Sequence, residues 1–212
     1  EQRTIRDHLV PYGTSKQPVQ SALEDGVLVV RVAGYPPIRT NLAGLYNTPN
    51  VLAALAVARH YGIENTKAAE ALARYIPSNN RSQWIKTGRN ALIADAYNAN
   101  PMSMSLALTN LGLTEGKKKC AILADMLELG ASAHQSHRGI VEQVEQMGLD
   151  QVFWVGPLFS KAVQELGAAG MCFAKVEDLV LHLGRHPLVG ATVLIKGSNG
   201  MGLSKLIASG VC

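Results

Sequence analysis

Ala91–Leu92–Ile93–Ala94–Asp95–Ala96–Tyr97–Asn98–Ala99–Asn100–Pro101 reads as an apolar strand whose tip runs straight into a helix. Pro101 suits a first helical turn, where its missing N–H would have no partner anyway, and Asn100 can cap that turn with its side-chain oxygen. Asp95, Asn98 and Asn100 then crowd the carboxyl end of a strand, the end at which open α/β sheets bind ligands. A capped strand–helix turn with no further role accounts for the same residues, so the surrounding pattern has to decide.

Outward from this stretch the chain alternates. Apolar runs at 83–86, 92–95, 120–124, 152–155, 171–173 and 193–196 read as strands, and segments at 101–111, 133–147, 159–166, 176–183 and 203–209 carry helical periodicity. That alternation predicts an α/β fold, a doubly wound, mostly parallel, Rossmann-like sheet with helices on both faces. Upstream the pattern differs. Runs at 27–32 and 38–42, joined by Gly34–Tyr35–Pro36–Pro37, predict a hairpin; helices follow from Thr48 to about Gly62 and over 66–75. Pro77–Ser78–Asn79–Asn80 breaks the chain, which places a domain boundary between residues 1–80 and 81–212. Residues 1–24 show weak periodicity and predict no element.

With 47% hydrophobic and 17% charged residues, the 212-residue chain has the composition of a protein with a core. No apolar run nears the roughly 18–20 residues that span a bilayer, so membrane insertion is not expected. The charged 1–10 stretch does not read as a signal peptide, and a chain opening on Glu1 rather than Met is expected to be part of a longer one. Cys120, Cys172 and Cys212 are too few and too scattered for a disulfide frame; Cys120 and Cys172 lie in apolar runs, so buried free thiols and a cytoplasmic setting are expected. Net charge is +4, and the only basic run, Lys117–Lys118–Lys119, has no interleaved aromatics, which argues against a nucleic-acid partner.

Four further segments carry possible chemistry. Asn47 opens the first helix ahead of Pro49, and Asn50 lies three residues on; the pair serves as a cap, or as a cap that also presents two amides to an adenine edge. Arg81 is either a surface arginine in the linker or a hinge arginine reaching a phosphate or ribose. Asp125 and Glu128 after the 120–124 strand, with His134 and His137, could form the polar rim of a substrate cleft; nothing in their spacing fixes a metal geometry, and no metal is assigned. Lys196, Gly197 and Ser198 begin a glycine-rich loop able to present N–H groups to an anion, without the lysine and hydroxyl that a Walker A loop requires. No nucleophile–base pair emerges, so no residue here is assigned a catalytic role.

In this order the segments DAYNANPMSM (95–104), LADMLELG (123–130) with His137, and LIKGSNGMG (194–202) resemble the Mur ligases, ATP-dependent amide-forming enzymes of peptidoglycan synthesis. The likeness is greatest to those members that join D-alanyl-D-alanine to UDP-N-acetylmuramoyl-tripeptide. It implies that residues 1–80 are the tail of a central ATP-binding domain and 81–212 the C-terminal domain. It implies adenine contacts from Asn47 and Asn50, a junction arginine at Arg81, and a ribose-binding carboxylate at Asp95. Asn98 and Asn100 fall near the meeting point of nucleotide and amine substrate, and Lys196 and Ser198 on the loop lining the dipeptide pocket. The family's phosphate loop, magnesium ligands and modified lysine have no counterpart in these residues and are expected upstream, with the N-terminal and central domains. The reaction so implied phosphorylates the tripeptide carboxylate, and the amine attacks the acyl phosphate with release of ADP and phosphate; the chain alone is expected to be inactive. Another amide ligase of the superfamily, or a non-catalytic small-ligand module, are the rival readings. Two positions depart from the family pattern. Tyr46 stands where histidine is usual, and Asn79–Asn80–Arg81 replaces Pro-Gly-Arg; asparagine tolerates the left-handed backbone that glycine would supply.

Overall fold

A computed structural model describes residues 12–13 and 18–212; the 1–10 stretch discussed above lies outside the described residues. Two units form, Glu1–Ile76 and Pro77–Cys212.

In the first unit, β1 (Val19–Glu24), β2 (Val27–Val32) and β3 (Ile38–Arg39) form an antiparallel sheet in that order. β2 is central: all its residues but Arg31 are buried. Its Leu28, Val30 and Val32 pack with Ile38 against Val51, Leu52 and Leu55 of α1 (Thr48–His60) and Ala68 and Ala69 of α2 (Asn65–Arg74). Val57, two residues beyond Leu55 on α1, points away from this core and is 56% exposed. β1 went unseen in the sequence for a physical reason. None of its residues is fully buried, so its strand character comes from pairing with β2 rather than from an apolar period. β3 stops short of the expected residue 42 as a regular strand, because both the Thr40 N–H and the Leu42 carbonyl bond to Leu28, so two positions of this segment oppose one of β2.

The second unit runs β4 (Gln83–Lys86), β5 (Ala91–Asp95), α3 (Pro101–Leu113), β6 (Lys118–Ala124), α4 (Ala133–Met147), β7 (Gln151–Val155), α5 (Pro157–Leu166), β8 (Met171–Phe173), α6 (Val176–Arg185), β9 (Ala191–Lys196) and α7 (Leu203–Ser209). Its sheet has the order β4-β5-β9-β6-β7-β8, with β4 antiparallel to β5 and every other pair parallel. The mostly parallel sheet and its helices are those expected from the alternation. Alternate residues of the strands face opposite sides. Leu92, Ile122, Phe153, Val155, Val193 and Ile195 form one core with Val176, Leu179 and Leu183 of α6 and Leu203 and Leu206 of α7. On the other side Trp154 packs on Phe159 of α5, ring centroids 4.9 Å apart.

Handedness places the point where the sheet reverses its winding. The crossovers β5-α3-β6, β6-α4-β7 and β7-α5-β8 advance in one direction across the sheet, so right-handed connections put α3, α4 and α5 on one face. The chain then returns from β8 to β9, which lies between β5 and β6, and that reversal puts α6 on the opposite face. β9 is therefore flanked by strands whose following helices leave to the other side. Its carboxyl end is the point where the winding reverses, and there Lys196 pairs in register with Asp95 on one side and Leu123 on the other.

The three cysteines are free, and Cys120 and Cys212 are buried, but Cys172 is exposed. β8 is an edge strand, so its residues have a neighbour on one side only; apolar sequence alone could not reveal that.

Candidate functional site

The tips of β5 and β9 meet in an ion pair. Lys196 Nζ lies 2.6 Å from Asp95 Oδ2 and also donates to the Asn98 carbonyl at 3.1 Å. The lysine side chain is 2% exposed and the aspartate 13%, so the pair is largely removed from water. Asp95 Oδ1 accepts from the Ser82 N–H at 3.1 Å, and the Ala96 N–H donates to the Asn80 carbonyl at 2.8 Å. These two bonds stitch the 80–82 segment to the end of β5. Asn80 sits at φ 52 and Ser82 at φ 48, so two left-handed residues flank Arg81. Asn80 thus adopts the conformation for which an asparagine could replace glycine. The Arg81 guanidinium lies over the Tyr97 ring, 3.9 Å from its centroid.

Asn98 and Asn100 are exposed, and their side chains serve the local turn. Asn98 Oδ1 accepts from the Ala99 N–H. Asn100 Oδ1 accepts from Ser103 N–H at 2.8 Å while the Ser103 hydroxyl accepts from the Asn100 N–H, a reciprocal cap ahead of Pro101. The cap read from the sequence at this position is present.

The tip of β6 differs. Asp125 is 1% exposed, and its two oxygens accept from the Phe159 and Leu158 N–H groups at the start of α5, each at 2.9 Å. Burial pushes its carboxyl above the ordinary aspartate range, against those two backbone hydrogen bonds, which pull it down. Gly156, at φ 113, lets this happen: the carboxylate occupies the space where a Cβ would stand. His137 is fully buried. Its Nε2 accepts from the Met126 N–H at 3.0 Å, and its Nδ1, 2.7 Å from the Ala133 carbonyl, must carry the proton because a carbonyl only accepts. With Nε2 unprotonated, its 3.8 Å approach to Asp125 is not an ion pair. Ser198 closes the arrangement: its hydroxyl accepts from the Leu127 N–H at 2.8 Å, and its own N–H donates to the Asp125 carbonyl at 3.2 Å. Gly197 permits the approach, since a Cβ there would stand 2.6 Å from that of Ala124.

The four acidic and histidine residues read together from the sequence therefore separate. Asp125 and His137 are internal, Glu128 is exposed at φ 67, and His134 pairs with Glu165 at 2.7 Å on the surface. Among the described residues no three His, Cys, Asp or Glu side chains gather as a metal would need.

In the first unit Asn47 and Asn50 are brought together. Asn50 Nδ2 donates to Asn47 Oδ1 at 3.0 Å, and Asn47 Nδ2 donates to the Ala43 carbonyl at 2.8 Å. Asn47 is buried and its side chain does not cap α1, contrary to the cap reading; it holds Asn50 at the exposed edge of the helix instead. Of the residues around the β5 tip, Tyr97 and Ser82 were not singled out from the sequence. Tyr97 stood in the opening stretch, and only the fold brings Arg81 onto it.

The model of the Mur ligase family's glutamate ligase domain matches residues 80–199, and the chain belongs to that family. It is 31% identical over 174 residues to the UDP-N-acetylmuramoyl-tripeptide–D-alanyl-D-alanine ligase of Treponema pallidum, covering 80% of this chain and 38% of that protein. Among solved structures it superposes with a MurF of Acinetobacter baumannii at TM-score 0.78 and 25% identity, covering 91% of this chain and 44% of the other. A MurF ligase from Thermotoga maritima in complex with ADP shares the fold at TM-score 0.73 and 19% identity, over 91% and 45% of the two chains. The chain thus spans less than half the length of the proteins it matches. No helix among the described residues is long and apolar enough to cross a membrane.

Proposed function

We propose that this chain is the C-terminal part of an ATP-dependent ligase that adds D-alanyl-D-alanine to UDP-N-acetylmuramoyl-tripeptide, in the cytoplasm, during peptidoglycan synthesis. Residues 1–80 form the end of its central ATP-binding domain and 81–212 its C-terminal domain. The relatives' shared name supports the substrates. One observation ties the reading to this chain's own residues: the Asp95–Lys196 pair stands at the carboxyl end of β9, where the winding of the sheet reverses.

Each unit by itself carries groups suited to a nucleotide. Asn50 is an exposed amide, held by Asn47, that can both donate to and accept from a base edge. Asp95 accepts one protein hydrogen bond on each oxygen, and a carboxylate has about four lone-pair sites, so ribose hydroxyls can still donate to it. Arg81 supplies a fixed positive charge for phosphate. Asn98, Asn100, Lys196 and Ser198 shape the ground for the incoming amine. Lys196 keeps its ammonium on Asp95 and the Asn98 carbonyl, so it acts on the dipeptide by ordering the 95–98 turn rather than by moving a proton. Among the described residues no three His, Cys, Asp or Glu side chains gather as a metal site.

In the complete enzyme, phosphorylation of the tripeptide carboxylate gives an acyl phosphate. Attack by the dipeptide amine forms the amide and releases phosphate, leaving ADP. The nucleotide contacts of this chain act on the first step, and the residues that shape the ground for the amine act on the second. The test is the complete protein with ATP, UDP-N-acetylmuramoyl-tripeptide and a panel of amines. Amide formation and ADP release only with D-alanyl-D-alanine support the reading. Preference for a free amino acid moves the chain to another ligase of the superfamily. A natural start codon within a few residues before Glu1, leaving no phosphate loop upstream, abolishes the catalytic reading.

A further inference from the structure

We infer that Tyr97 is the positioning residue for Arg81: its ring is a platform that holds the guanidinium ready for nucleotide phosphate at the β5 tip. This rests on the nucleotide reading above.

Both sides of Arg81 are restrained. Its backbone lies between two left-handed residues, each tied to the end of β5, through the Asn80 carbonyl and the Ser82 N–H. Non-glycine residues adopt such backbone only where the surroundings enforce it, and four do so among the described residues; two of them flank this arginine. Its side chain has no carboxylate partner among the described residues and rests on the Tyr97 face. An arginine engaged through its face keeps its in-plane N–H groups free to donate, whereas an ion pair would occupy them. Tyr97 is 42% exposed and its neighbour Ala96 is buried, so the ring is presented at the surface from an anchored turn. The arrangement removes side-chain freedom from Arg81 before any ligand arrives, which is what makes a clamp effective.

Two measurements test it. In the 212-residue chain, the Arg81 side-chain protons show an upfield ring-current shift that survives in Tyr97→Phe and vanishes in Tyr97→Leu. An unshifted Arg81 in the wild-type chain overturns the pairing, with no nucleotide involved. In the complete enzyme, Tyr97→Leu weakens ATP binding about three- to tenfold, Tyr97→Phe restores it, and Tyr97→Leu adds nothing in an Arg81→Ala background. Independent, additive losses overturn the role of Tyr97. Unchanged ATP affinity in Arg81→Ala, when the wild-type chain does show the ring-current shift, overturns the nucleotide reading instead.

Discussion

β5 and β6 end alike in sequence, Leu92–Ile93–Ala94–Asp95 and Ile122–Leu123–Ala124–Asp125, yet their aspartates do different work. Asp95 answers a lysine across the sheet and keeps 13% of its side chain at the surface, beside an exposed arginine and tyrosine. Asp125 is sealed at 1% and directs both oxygens to the start of α5. One tip reaches the surface; the other ties the start of α5, His137 and the 197–198 loop together in the interior. A strand-end carboxylate is therefore a site signal only when the fold leaves it a route to solvent.

The contrast is broken most severely at the ion pair. Asp95→Ala strands the Lys196 ammonium in the interior and lowers stability by about 3–5 kcal/mol in urea unfolding, while Asp95→Ala with Lys196→Met recovers part of the loss. Equal losses in the single and double variants are the outcome that contradicts a buried, coupled pair. Asp125→Ala leaves two N–H groups at the start of α5 without acceptors and costs about 2–4 kcal/mol. The same carboxylate gives a pH test. Because burial raises its pKa, its contribution is fullest at low pH and is lost as pH rises through the folded value. Glu165 behaves oppositely: the His134 hydrogen bond, helped by Arg138, holds it low, so its contribution is lost as pH falls through its folded value. Relative to wild type, Asp125→Asn gains stability as pH rises through the carboxylate range and Glu165→Gln gains as it falls.

His137→Leu removes the acceptor for the Met126 N–H and costs about 1–3 kcal/mol, and nitrogen chemical shifts of wild-type His137 report the Nδ1–H tautomer. Smallest is Ser198→Ala, about 1 kcal/mol, from the lost acceptor for the Leu127 N–H. A shift in the backbone resonances of 126–130 that leaves those of 95–98 in place would show that the two tips are independent.

Much of this was legible. The apolar strands and periodic helices after residue 80 could be read locally because each element carries its own hydrophobic period, and Asn100–Pro101 announced its cap within three residues. β1 was not legible, since an edge strand of half-buried residues has no period to show. Nor was the exposure of Cys172, which follows from β8 lying at the sheet edge. The proximity of Asn47 and Asn50 followed from helical spacing, but not that Asn47 turns away from capping toward Ala43.

Sequence alone determined the alternating elements, the polar residues at the strand tips, and the family they resemble, because these depend on residues a few positions apart. The tertiary structure decided which polar tips meet. Lys196 reaches Asp95 only because the return from β8 inserts β9 beside β5, and Arg81 reaches Tyr97 only because the 80–82 segment is hydrogen-bonded to the end of β5. Strand order and handedness are long-range consequences of burying both faces of a twisted sheet, and no local pattern encodes them.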